Sequence, residues 1–178
     1  MINTNGDTEI QVSEATAFNG SIICNYMSIS DLTGIEDFTA LTTLRCDNNQ
    51  LTSLDVSGNT ALTYLHCHIN QLTSLDLSQN TSLFSLGCSY NQLTSLDVSG
   101  ATALNYLWCD NNQLTTLDVS QNTALVVFTC KENQITALDL SQNTALIHLQ
   151  CDSNELTSLD LRNGNNINMQ TWSGMTID

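Results

Sequence analysis

LTTLRCDNNQLTSLDVSGNTA occupies residues 41–61, and its pattern returns five times without a gap. The copies are LTYLHCHINQLTSLDLSQNTS (62–82), LFSLGCSYNQLTSLDVSGATA (83–103), LNYLWCDNNQLTTLDVSQNTA (104–124), LVVFTCKENQITALDLSQNTA (125–145) and LIHLQCDSNELTSLDLRNGNN (146–166). Cys46, Cys67, Cys88, Cys109, Cys130 and Cys151 recur every 21 residues, and Cys24 lies 22 before the first. A fixed period of this length is the signature of a solenoid. Within one unit, Leu44 and Cys46 alternate with Thr43, Arg45 and Asp47, which predicts a short strand with one buried face. Identical connections make successive strands parallel, about 4.8 Å apart along the array. Leu51, Leu54 and Val56 alternate again in the second half of the unit and should also point inward. Ser-Gly-Asn-Thr or Ser-Gln-Asn-Thr then turns the chain toward the next leucine. No helical period fits inside 21 residues, so the far side should be extended or 3-10.

The pattern L-x-x-L-x-C-x-x-N-x-L resembles the leucine-rich repeat, with Cys where many families have Leu. One Cys per 21 residues is most similar to the internalin J-like cysteine-ladder repeats of bacterial surface proteins, and residues 29–44 (ISDLTGIEDFTALTTL) resemble ordinary internalin-type repeats. The resemblance covers about three quarters of the chain. It implies a mainly β right-handed superhelix with a parallel concave sheet, a short N-terminal cap helix, and a secreted or surface-attached recognition role.

Composition narrows the partners. Eighteen acidic residues against three basic ones (Arg45, Lys131 and Arg162) give a formal charge of −15. That leaves no footprint for nucleic acid or anionic lipid. No stretch reaches the roughly 18 apolar residues of a membrane helix, and the polar, acidic Met1–Glu9 does not read as a signal sequence. A hydrophobic content of 41% supports a packed core. We expect residues 1–40 to cap the array, 41–166 to form six repeats, and 167–178 to begin a partial coil carrying Trp172. A monomer is expected, and both ends look cut from a longer protein.

The units act as internal replicates: what recurs belongs to the fold. Asn49, Asn70, Asn91, Asn112, Asn133 and Asn154 should bond backbone groups of their own and the next coil. Disulfides within the cysteine column are geometrically poor, because side chains on parallel strands point the same way, and seven is an odd number. Buried inert thiols fit best, since a metal string would have only leucine beside it. Asp55, Asp76, Asp97, Asp118, Asp139 and Asp160 lie about 5 Å apart and would repel unless compensated. Asp-Val-Ser and Asp-Leu-Ser predict an Asx bond to the N–H two residues on, with cation bridging as the alternative. Threonine columns (Thr52 to Thr157, Thr60 to Thr144) fit β-propensity, but could also present a regular face to ice or polysaccharide.

Where the units disagree, recognition is expected. The exposed strand triplets are Thr43/Arg45/Asp47, Tyr64/His66/His68, Ser85/Gly87/Ser89, Tyr106/Trp108/Asp110, Val127/Thr129/Lys131 and His148/Gln150/Asp152. Asn48, Ile69, Tyr90, Asn111, Glu132 and Ser153 follow them. Tyr and Trp are typical interface anchors, and solenoids bind partners on the concave face. Candidate ligand-binding residues are Tyr64, His66, His68, Tyr90, Tyr106, Trp108, Asp110, Lys131, His148 and Asp152. The ligand would be a protein or carbohydrate, drawn by an acidic rim of Asp47, Asp110, Glu132 and Asp152. His66 and His68 with Asp47 could hold a transition metal weakly. Without HExxH, a phosphate loop or a nucleophile–base–orienter set, enzymatic activity is not expected. A purely structural spacer is the remaining rival.

Residues 3–14, NTNGDTEIQVSE, follow the EF-hand loop. Asn3, Asn5, Asp7, Glu9 (carbonyl), Gln11 (through water) and Glu14 fall on ligand positions. Asn3 replaces the usual Asp, Thr8 the usual Gly, and the entering helix is missing. Weak calcium binding and a capping turn with a vestigial loop are the alternatives. Glu14 to Phe18 should form a short helix over the first coil.

Overall fold

The structure, a computed structural model, describes residues 10–164. Helix α1 (Val12–Ala17) opens it, followed by strand β1 (Ser21–Ile23) and a 3-10 turn at Ile35–Asp37. The strands β2 (Thr43–Arg45), β3 (Tyr64–His66), β4 (Ser85–Gly87), β5 (Tyr106–Trp108), β6 (Val127–Thr129) and β8 (His148–Gln150) follow at the repeat period. With β1 they form one seven-stranded parallel sheet in the order β1-β2-β3-β4-β5-β6-β8. The expected solenoid is therefore present, with little helix.

Each strand is three residues long, and its middle residue points into the core. Leu44, Leu65, Leu86, Leu107 and Phe128 are fully buried there. The following cysteine extends the ladder: the Cys46, Cys67 and Cys88 amides donate to His66, Gly87 and Trp108 carbonyls at 2.8, 2.7 and 2.8 Å. Leu51, Leu54 and Val56 and their equivalents close the core from the other side. That side is extended, as expected. In the last two coils it pairs as a second parallel sheet, β7 (Ala137–Asp139) with β9 (Ser158–Asp160), which the repeat pattern did not distinguish from the earlier coils.

All seven cysteines are free, and burial is the main cause of their raised pKa values. Cys88 is pushed up to about 12. Uncharged at neutral pH, these thiols pack as small hydrophobic groups.

The asparagine column is bonded differently from expectation. Asn91 Nδ2 donates to the carbonyls of Cys67 and Cys88 at 3.0 Å each, and its Oδ1 accepts the Leu72 amide at 3.0 Å. The partners belong to its own and the preceding coil, not the next one. The amide lies between two strand ends, where the carbonyls of the ladder cysteines and the amide of the leucine on the preceding coil are the backbone groups it reaches. A second buried column escaped the sequence reading. Asn59, Asn80, Asn122 and Asn143 are fully buried and each donates to two carbonyls. The third unit has Ala101 in that place.

The predicted Asx bonds are present. Asp55, Asp76, Asp97, Asp118 and Asp139 accept the amides of Ser57, Ser78, Ser99, Ser120 and Ser141 at 2.8–2.9 Å. At the front end, α1 lays Ala15 into the core, and Phe18 meets Phe38 edge-on at 6.0 Å. Glu14 accepts the Gln11 amide at 3.2 Å, tying off the start of the helix. The other calcium-loop candidates, Asn3, Asn5, Asp7 and Glu9, and the C-terminal coil with Trp172 lie outside the described residues.

Candidate recognition site on the concave sheet

One strand in the middle of the sheet carries only small groups on its outer face. In register, Ser85 of β4 lies between Tyr64 of β3 and Tyr106 of β5, and Gly87 lies between His66 and Trp108. The result is a trench one strand wide, with walls about 9.6 Å apart at two strand spacings.

The walls lean over the trench. His66 Nε2 lies 3.0 Å from Ser85 Oγ, and His68 Nδ1 accepts the Ser89 amide at 3.1 Å. That second bond assigns the tautomer: Nδ1 of His68 carries a lone pair, not a proton. Gly87 makes the arrangement possible, because a Cβ there would stand 2.0 Å from His68 Nε2. Ring contacts then run continuously across three coils. Tyr64 meets Phe84 at 5.8 Å, Phe84 meets Tyr106 at 5.4 Å, and Tyr106 stacks on Trp108 at 5.7 Å with 14° between planes. Trp108 and His66 meet at 5.8 Å with their planes nearly perpendicular across the trench, and His66 and His68 are 5.5 Å apart. Ile69 and Tyr90 extend the surface into a depression of about 380 Å³, open to solvent.

Ile69 and Tyr90 sit at a special backbone position. The residue after each strand turn is left-handed, with φ between 53° and 58° at Asn48, Ile69, Tyr90, Asn111, Glu132 and Ser153. Asn tolerates this; a β-branched residue is strained by roughly 1–2 kcal/mol. Ile69 nevertheless stands there, 46% exposed, beside Tyr90 at 51%.

Two of the expected acidic rim residues belong to the fold. Asp47 Oδ1 accepts the His68 amide at 3.1 Å while Oδ2 meets Arg45 at 3.2 Å. Asp110 takes the Lys131 amide at 3.0 Å, the Thr129 hydroxyl at 2.7 Å and the Ser89 hydroxyl at 3.3 Å. Each aspartate satisfies an amide of the next coil and is buried. Burial raises the Asp110 carboxyl above its ordinary range, against these hydrogen bonds. Burial also lowers both imidazoles, His68 adding to the effect on His66 and Asp47 opposing it.

Among the proposed binding residues, the depression gathers His66, His68, Tyr90, Trp108 and Asp110, with Tyr64 and Tyr106 on the adjoining aromatic row. Lys131 follows β6; His148 in β8 and Asp152 after it lie farther along the sheet. Phe84, which joins the two tyrosines, was not singled out from sequence because it precedes the strand. Its signal was there: its counterparts are Thr42, Thr63, Asn105, Val126 and Ile147. Ser85 and His66 have the composition of a nucleophile and base, but Ser85 is only 3% exposed beneath the imidazole. No group of three His, Cys, Asp or Glu among the described residues is placed to hold a metal ion.

No family model matches the chain. A 52-residue stretch is 44% identical to Internalin J of Listeria monocytogenes, covering 29% of this chain and 6% of that protein. The solved functional domain of that protein, which includes a cysteine ladder, is 31% identical, with a TM-score of 0.47, over 85% of this chain and 48% of that one. A leucine-rich repeat protein of Leptospira interrogans is 27% identical, with a TM-score of 0.69, over 79% of this chain and 38% of the other. The chain thus spans half or less of the length of these relatives. No helix among the described residues is long and apolar enough to cross a membrane.

Proposed function

We propose that this internalin-like leucine-rich repeat protein is a non-enzymatic recognition module holding a protein partner on its concave sheet, with Trp108 at the centre. The supporting observation is the unbroken row of rings from Tyr64 to His68 around the Ser85–Gly87 trench. Packing does not require it, since other coils fold with Thr, Val or Gln in the same register. Similarity to Internalin J supports a bacterial surface or secreted setting, and stacked rings suit a carbohydrate ligand as the alternative to protein.

Protein and glycan arrays probed with wild type and Trp108→Ala test this reading. Loss of a buried aromatic anchor should cost about 2–4 kcal/mol of binding, with an unchanged circular dichroism spectrum. Full binding by Trp108→Ala would remove the concave face from consideration. Loss of binding in Thr94→Ala/Thr115→Ala instead would transfer the function to the threonine columns, both of which are exposed.

A further inference from the structure

The depression beside Trp108 holds one carboxylate, Asp110, and offers no charge without partners, although the protein carries −15. Asp47 is matched by Arg45, and Asp110 has its oxygens committed to Thr129, Ser89 and the Lys131 amide. His68 presents a lone pair to Ser89, and His66 packs perpendicular to Trp108. The exposed residues of the lining are Ile69 and Tyr90, with the indole and the two neutral imidazoles half-buried beside them. A charged group entering this depression would lose its hydration without finding a free counter-charge. The surrounding negative field, in contrast, attracts a positively charged body.

We infer that the depression is a proton-gated socket: it accepts one uncharged aromatic or aliphatic side chain from a basic partner surface while His66 and His68 are neutral, and releases it when they take up protons. The inference rests on the concave-face reading and specifies the chemistry of the contact. The gate follows from the hydrogen bonds. A proton on His68 Nδ1 replaces an acceptor with a donor facing the Ser89 N–H, so the imidazole must leave its place over Gly87. A proton on His66 sets a second cation 5.5 Å from the first. The charged groups acting on the pair are Arg45 and Asp47 from the β2 coil; Asp110 of the β5 coil shares the depression and is itself offset by Lys131 of the β6 coil, and Tyr90 is the remaining titratable group of the lining. The strand between, β4, offers Ser85, Gly87 and Ser89, which carry no charge. Asp47 favours protonation and Arg45 opposes it, while burial disfavours it at both rings. Both imidazoles are therefore neutral at pH 7 and charge only below the ordinary value of about 6.5.

The test needs no partner. p-Cresol, a neutral phenol, is titrated into the whole chain and followed by 1H–15N NMR at the Trp108 indole and Ser89 amide. At about pH 7.5 it should shift both signals. Binding should weaken about tenfold for each pH unit once the first histidine protonates, and about a hundredfold per unit below both transitions, as the competent fraction falls. His66→Gln/His68→Gln keeps an acceptor for Ser89 but cannot titrate, so it should bind p-cresol equally at both ends of the range. Binding that is independent of pH in wild type overturns the gate, as does a Ser89 amide that stays fixed while His68 titrates. A p-cresol signal that persists in Trp108→Ala overturns the socket. Trp108-independent capture on the arrays would instead overturn the concave-face reading alone, leaving the p-cresol outcome to judge the socket.

Discussion

At Gly58 and Gly100 the same residue in equivalent turns has different reasons to be there. A Cβ on Gly58 would stand 2.0 Å from the Glu36 carbonyl of the opening coil, while one on Gly100 meets only the Ser78 carbonyl at 3.6 Å. Gln79, Gln121 and Gln142 occupy the place in other units. Gly58→Ala should lose about 2 kcal/mol to overpacking against rigid backbone. Gly100→Ala should gain about 0.5 kcal/mol by restricting the unfolded chain. Urea midpoints of the two variants check this, and equal shifts would contradict it. Neither reason was legible in sequence, where both read as turn glycines, because the obstacle at Gly58 comes from a coil outside the regular period. Gly87 is similar: its spacing marked an outer position, but only the His68 ring above it shows why a side chain is excluded. The role of Asp47 and Asp110 was hidden for the same reason, since the amides they satisfy, those of His68 and Lys131, lie on the next coil.

The coil was the most legible element. Alternation around Leu44 and Cys46 gave strand, face and parallel pairing, since only one arrangement buries every leucine at a 21-residue period. The two asparagine columns were less equal than they look. Asn112 donates to Cys88 and Cys109 at 3.1 Å and accepts the Leu93 amide at 3.0 Å, so both ends of its amide are used. Asn122 donates to Val98 and Ala101 at 2.9 Å, but its buried Oδ1 has no partner. Its column reads in sequence as turn residues, because a deeply buried amide has the same letter as a solvated one. Asn112→Ala strands the buried Leu93 N–H, while the Cys88 and Cys109 carbonyls keep Asn91 and Asn133, and should cost about 2 kcal/mol; Asn122→Ala removes an unmet oxygen too and should cost about 1 kcal/mol or less. The third unit already folds with Ala101 there. Thermal melts of the pair decide the matter, and a greater loss from Asn122→Ala would reverse the ranking.

At the scale of the whole array, acid stability follows from repeated bonds. Asp55, Asp76, Asp97 and Asp118 lie below their ordinary range through hydrogen bonds from Ser57, Ser78, Ser99 and Ser120. Arg162 brings Asp160 to about 2. A carboxyl lowered by folding stabilises above its unfolded pKa of about 3.9 and loses that contribution as pH falls through the folded value. Asp110, raised by burial, has the opposite sign. His66 and His68, lowered by burial, remove stability as pH drops below about 6.5. Circular dichroism should therefore show a slight loss of stability below about pH 6.5 and the main transition between about pH 4 and 2. A main transition above pH 5 would mean that the buried groups, not the aspartate column, govern acid unfolding. The free cysteine column has a different consequence, for time rather than equilibrium. A coil that opens exposes a thiol whose pKa returns toward about 8.5, and an oxidant can then convert it to a sulfenic acid too polar for the interior. Every such event forbids that coil from closing, so in an oxidising medium the array keeps a cumulative record of its own fluctuations, written one coil at a time.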